Sequence, residues 1–443
     1  MRCKMINIYE KFDDKTILLY RSFENSSINN INIVLEDDGF LPFNIFSPYR
    51  YFTKEKKERF KPLYFNEVPV PEYWEIKGDN KSAKIMDKGK IRGKIIYKKN
   101  IGQSRIVDKV EWLSEDGQLK YVDFYNQQGF RFAQLLYDEF KMKILKRYFD
   151  KENNVVIVEN FVTKDIILNY NDKNLFFNNK KEFYSYYLSQ LEVPKNHILI
   201  NSLSYPFLTT YSFKEEIVNY KIVWQENIKD SIPDNMKVAL KHIKNVEILV
   251  PNQEEYHKIV SVVENNDKEK ITKSGYVYNF KKDNHFKKNI FILTNSDDIP
   301  FLSEIVDHNP EFNFKVAALT EMSSKLMGLD TKKNIKLYPK ISNSAVSDLL
   351  KESDIYLDIN KGNEVLNIIE RAFSYQLLIF AFKETAHNSV WIDDSNIFEI
   401  NNYKALISKI NKLNNLNGFK LLLEKQLSHA DIIDKEEFVK LLN

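Results

Sequence analysis

The residues best suited to chemistry in this 443-residue chain lie in its second half, where apolar runs give way to small polar and acidic side chains. Gly362-Asn363-Glu364 follows the apolar run Ile355–Ile359 and leads into a helical stretch, Val365–Tyr375, that carries Glu370. Carboxylates so placed can accept hydrogen bonds from a ligand's hydroxyl groups. The plainer reading of Glu370 is a solvated side chain, or one paired with the adjacent Arg371, since exposed ion pairs are common and weak. Thr294-Asn295-Ser296 closes the run that begins at Asn289. Its backbone N–H groups could meet a ligand, or Ser296 with Asp297 and Asp298 could cap a helix starting at Pro300. We favour the cap. Thr320-Glu321 and Ser323-Ser324 pose the same choice, and Lys325 either faces a phosphate or is solvated. His387, just past Leu377–Phe382, either lines a groove or is polar surface.

Several chemistries are excluded. The sequence contains no Asp-x-Asp, GxGxxG, Walker A, GxSxG or HExxH pattern. Its seven histidines are scattered without ligand spacing, so no metal is assigned. Cys3 is the only cysteine, which rules out an internal disulfide and a thiolate metal site. A net charge of +3 over this length gives no reason to expect nucleic-acid binding. No apolar run approaches the roughly 18 residues of a membrane span. The start, MRCKMINIYEKF, lacks the apolar core of a signal peptide, so a cytoplasmic location is expected. All the arginines but Arg371 precede residue 150, a bias that suits partner contacts if they cluster in space.

The elements that must position these residues are of two kinds. Met5–Glu10, Lys15–Phe23 and Ile31–Leu35 read as strand, helix, strand, the opening of a parallel α/β domain. From Lys81 to Asn169 the pattern alternates, as in Ile91-Gly93-Ile95-Tyr97 and Leu119-Tyr121-Asp123, with a hairpin signal at Asp116-Gly117. That predicts an antiparallel meander inserted in the first domain. Helical spacing returns over Lys180–Leu191, followed by a strand at His197–Leu203. Strands are then predicted at Lys221–Gln225, Val246–Val250, Asn289–Thr294, Asn313–Leu319, Ile335–Tyr338, Ile355–Ile359 and Leu377–Phe382, with helices between them. The domains expected are 1–50 with 170–220, an insert over 51–169, and 221–443. Aromatic clusters such as Tyr49-Arg50-Tyr51-Phe52 and Tyr186-Tyr187 are read as core, with some on the meander left as possible interface anchors.

Two signatures carry a resemblance. DDGFLP followed by SPYRYF near the start is similar to the GtfB family, stabilising subunits of an O-linked N-acetylglucosamine transferase. The segments TNSDDIPFLSEI, TEMSSKLMGL and DIYLDINKGNEVLNIIERAF match it further on, in the same order. The resemblance implies a GT-B-like α/β fold: two Rossmann-like domains facing a cleft, the antiparallel meander inserted in the first, and helices from Tyr403 onward. In retaining GT-B transferases, which this region also resembles, one Glu stands beside the donor sugar and a second, eight positions on, opens the next helix and holds the ribose. Glu370 matches the second; Gly362 stands where the first should be, and Glu364 is two positions off. No catalytic residue is therefore assigned. Thr294, Asn295, Ser296, Glu321, Lys325, Gly362, Asn363, Glu364 and Glu370 remain as candidates for binding only. The implied partners are a catalytic glycosyltransferase subunit and a Ser/Thr-rich adhesin destined for accessory Sec export, with peripheral membrane contact left open and no cofactor of the chain's own. Two alternatives stay in view: an active retaining transferase using Glu364, and a lectin-like module for glycosylated peptide.

Overall fold

The computed structural model describes residues 5–56, 59–79, 81–99, 105–193 and 195–442; Cys3 lies outside them. The chain divides into two compact units, one running to Ser274 and one from Gly275 to Leu441. In the first, strand Met5–Tyr9, helix Asp14–Asn25 and strand Asn30–Val34 form as expected. The Asp13 carboxylate accepts from the Thr16 backbone N–H and caps the helix, whose Thr16, Leu19, Tyr20 and Phe23 are buried at helical spacing. The sheet has seven parallel strands in the order Ile271–Lys273, Val246–Val250, Asn219–Val223, His197–Ile200, Met5–Tyr9, Asn30–Val34, Ile45–Phe46. Sequential order reverses between Met5–Tyr9 and His197–Ile200, the switch point of a doubly wound sheet.

This sheet extends further along the chain than the sequence suggested. The expected 221–443 domain includes the strands predicted at Lys221–Gln225 and Val246–Val250. Instead Tyr220 registers with Ile198 and with Val246, so both belong to the first sheet. The cause is physical: strand–helix alternation has the same rhythm in either doubly wound sheet, and only pairing shows which sheet a strand joins.

The meander is a ten-stranded antiparallel sheet from Glu75 to Phe177 whose spatial order follows chain order. The DDGFLP and SPYRYF segments fasten it to the parallel sheet. Asp37 accepts from the Gly39 N–H at 2.7 Å. Gly39 has φ +85°, and a Cβ there would lie 2.6 Å from the Phe132 ring, so only glycine lets the loop meet the meander. Arg50 donates to the carbonyls of Leu41 and Pro42 at 2.8 and 3.1 Å and pairs with Asp37 at 3.2 Å. Tyr49 stacks on Tyr148 of the meander at 4.1 Å between ring centroids. Tyr49, Phe52, Phe183, Tyr184 and Tyr187 are buried in one continuous core, as read from the sequence.

In the second unit six parallel strands run Ile335–Tyr338, Asn313–Ala318, Asn289–Thr294, Ile355–Asp358, Leu378–Phe382, Ile397–Phe398. Order reverses between Asn289–Thr294 and Ile355–Asp358. The helices Tyr403–Asn411 and Leu416–His429 bury Leu406, Ile410, Phe419 and Leu423 against this sheet. Buried Gln426 locks the second of them, accepting from the Ile379 N–H at 2.8 Å and donating to the Leu377 carbonyl at 2.9 Å. Among the described residues no helix is long and apolar enough to cross a membrane.

Candidate functional site

The carboxyl edge of the second sheet, at its switch point, gathers part of the predicted set. Thr294 ends one central strand and Asp358 ends its parallel neighbour. Asn360, buried in the loop beyond, donates to the Leu293 carbonyl at 3.3 Å and accepts from the Gly362 N–H at 3.1 Å. This pins Gly362 against the loop after Thr294. A Cβ added at Gly362 would lie 1.8 Å from Asn295 Oδ1 and 3.0 Å from Asn360 Oδ1. A side chain at 362 would have to displace the amide of exposed Asn295.

His387 closes the same edge. Its Nδ1 lies 2.5 Å from Asp358 Oδ1, its Nε2 lies 2.7 Å from the Gly362 carbonyl oxygen, and its backbone N–H donates to Asp358 Oδ2 at 2.7 Å. A carbonyl and a carboxylate can only accept, so both ring nitrogens carry protons and the ring is an imidazolium. Burial works against that charge, but the Asp358 hydrogen bond and charge, the Gly362 carbonyl and Glu364 more than offset it and lift the pKa from 6.5 to about 8. The sequence placed His387 beyond the right strand without finding Asp358, whose one signal was an acidic residue at a strand's carboxyl end.

Glu364 turns toward the helix rather than a ligand. Its carboxylate accepts from the Ile369 N–H at 3.0 Å and so caps helix Ile368–Ser374, which has no cap from Asn367 itself. Burial raises its pKa, partly countered by that N–H and by His387. Leu366 and Asn367 have φ of 56° and 48°, so the helix starts later than the predicted Val365 and Glu370 falls in its first turn. Arg371 donates to Asn343 and Ser347 at 2.9 and 2.8 Å, tying this helix to Asn343–Glu352.

The favoured capping role of Ser296 is not what forms. The helix runs Leu302–Asp307 with Phe301 at its N-cap in the left-handed region. Thr294 and Ser296 instead bind their own loop: the Thr294 hydroxyl donates to the Ser296 carbonyl at 2.6 Å, and Ser296 Oγ accepts from the Asp298 N–H at 3.1 Å. Ser323 does act as a cap, accepting from the Leu326 N–H at 3.3 Å. Glu321 pairs with Lys340 at the surface. Lys325 and Asn363 are exposed and make no ion pair or side-chain hydrogen bond among the described residues. The structure thus brings together Thr294, Asn295, Gly362 and Glu364, keeps Glu370 close by, and leaves Glu321, Lys325 and Asn363 at the rim. His387, Asp358 and Glu364 are each committed to a neighbour. Among the described residues no three His, Cys, Asp or Glu side chains converge as a metal site would require.

Four family models match in succession: the GtfB N-terminal domain over 6–52, middle domain over 74–178 and third domain over 180–262, then the GftB/GlyA-F C-terminal domain over 290–426. The chain is 41% identical, over 99% of both sequences, to the UDP-N-acetylglucosamine–peptide N-acetylglucosaminyltransferase stabilizing protein GtfB of Streptococcus agalactiae. It is 35% identical, over 97% of both, to the protein of the same name from Streptococcus pneumoniae. A chain of the crystallised GtfA/B complex bound to UDP and GlcNAc superposes with a TM-score of 0.88 at 34% identity, covering 99% of each chain. Two doubly wound units with a meander inserted in the first are GT-B-like, as expected. This chain belongs to the GtfB family of glycosyltransferase-stabilizing proteins.

Proposed function

We infer that this chain is the non-catalytic subunit of an O-linked N-acetylglucosamine transferase. It stabilises a catalytic glycosyltransferase partner and presents a Ser/Thr-rich adhesin acceptor, while the partner carries the UDP-N-acetylglucosamine donor. The observation that carries this reading is Gly362: the position where a retaining transferase keeps a carboxylate has no side chain, and the Asn295 amide lies against it. A subunit that holds the acceptor beside a partner's donor site raises its effective concentration without doing chemistry itself. The work takes place in the cytoplasm, before export, with peripheral contact at the membrane's inner face. The lectin-like alternative has no observation at the second sheet's edge to favour it, since His387 is held there by Asp358 and the Gly362 carbonyl. Co-purification with the partner tests the inference. The complex should form, and the partner's melting temperature should rise when this chain is added. A partner equally stable alone would contradict it.

A further inference from the structure

The first sheet has a switch point of its own, and there a pocket remains. It has a volume of about 370 Å³, within the roughly 300–1,000 Å³ typical of small-molecule sites. Glu10, Ser202 and Trp224 line it from just beyond the carboxyl ends of three adjacent parallel strands, Met5–Tyr9, His197–Ile200 and Asn219–Val223. Glu226, Asp234 and Asn235 also line it. This is where a doubly wound sheet offers its ligand crevice.

Two groups of donors lack an assigned partner. Trp224 is 5% exposed, yet among the described residues its indole N–H has no hydrogen-bond partner, an arrangement that costs free energy unless something else accepts from it. The nine-residue helix Asp234–His242 begins behind Pro233, which has no side-chain group to cap it. The acceptors are better placed. Glu10 takes the Ser202 hydroxyl at 2.5 Å on one oxygen. Asn235 donates to the Leu203 carbonyl at 2.8 Å, leaving its amide oxygen as an acceptor. Three of the lining side chains are carboxyl groups, and among the described residues no Lys or Arg lines the pocket. Lys237, nearby, pairs with Asp234 at the exposed surface.

We propose that this pocket binds a neutral, hydroxyl-rich ligand of monosaccharide size: Glu10 and Glu226 accept from its hydroxyls, and Trp224 donates to one of its oxygens. The carboxylates of Glu10 and Glu226 disfavour phosphates, so a nucleotide is not the proposed ligand although the position in the fold is one that nucleotides often take. The site goes beyond the role of a stabilising subunit and needs no partner to be tested.

The experiment is saturation-transfer NMR with calorimetry on the full chain, using glucose, galactose and N-acetylglucosamine as probes and UDP as competitor. At least one sugar should bind saturably and not be displaced by UDP. Trp224→Phe keeps the ring and removes the donor, and Glu226→Ala removes an exposed acceptor. Each should weaken the sugar by about 3- to 10-fold, the weight of one hydrogen bond. No saturable sugar binding, unchanged affinity in the variants, or displacement by UDP would overturn the proposal. Should Trp224→Phe fail to fold, Glu226→Ala alone decides.

Discussion

Asn295 and Gly362 compete for one volume: the Asn295 amide oxygen stands 1.8 Å from where a Cβ on residue 362 would be. The two lie on loops beyond adjacent parallel strands, so any side chain at 362 would have to displace the Asn295 amide.

A double-mutant cycle reads this conflict directly. Gly362→Ala should cost about 1–2 kcal/mol of unfolding free energy, within the range for overpacking. In an Asn295→Ala background most of that cost should vanish, because exposed Asn295 is the movable neighbour. Some should persist, because buried Asn360 is held by its bond to Leu293. Additive effects in denaturant titrations would refute the shared volume.

His387 predicts a pH dependence with a definite sign. Its folded pKa, about 8, lies above the ordinary 6.5. Its contribution is therefore complete below about pH 6.5 and is lost as pH rises through about 8. His387→Gln should destabilise the protein by about 1–3 kcal/mol at pH 6, the scale of hydrogen bonds to a charged group, and by clearly less at pH 9. Thermal unfolding of both proteins at the two pH values checks this; an equal gap at both would contradict an imidazolium.

Arg50 should matter more than a surface arginine. Its guanidinium holds two carbonyls and buried Asp37, and burial raises the Asp37 pKa against the opposing pull of Arg50. Arg50→Ala leaves that carboxyl buried and unpaired, which costs roughly 3–5 kcal/mol. Arg50→Lys should fall between, since an ammonium cannot span the same acceptors. Urea titration and limited proteolysis at the meander give the order; wild-type stability in Arg50→Ala would show the junction to be incidental.

How far the sequence revealed this arrangement depended on distance along the chain. Alternation and the Asp116-Gly117 turn marked the meander because both are local, and Gly117 does take a positive φ of 83°. The late start of helix Ile368–Ser374 was hidden because Leu366 and Asn367, neither a glycine, adopt left-handed backbone that their types do not advertise. Gly362 departs from the family pattern by residue type alone, but no local pattern shows that the Asn295 amide lies against it. Glu10, Ser202 and Trp224 meet only through parallel pairing of strands far apart in sequence, so no motif joined them.

The most direct measurement is transfer of radiolabelled N-acetylglucosamine from its UDP donor to a Ser/Thr-rich acceptor by this chain alone, by the partner transferase alone, and by the two together. The account predicts no incorporation by this chain and more by the pair than by the partner. Transfer by this chain alone, abolished in Glu370→Gln, would contradict it and make the protein an enzyme.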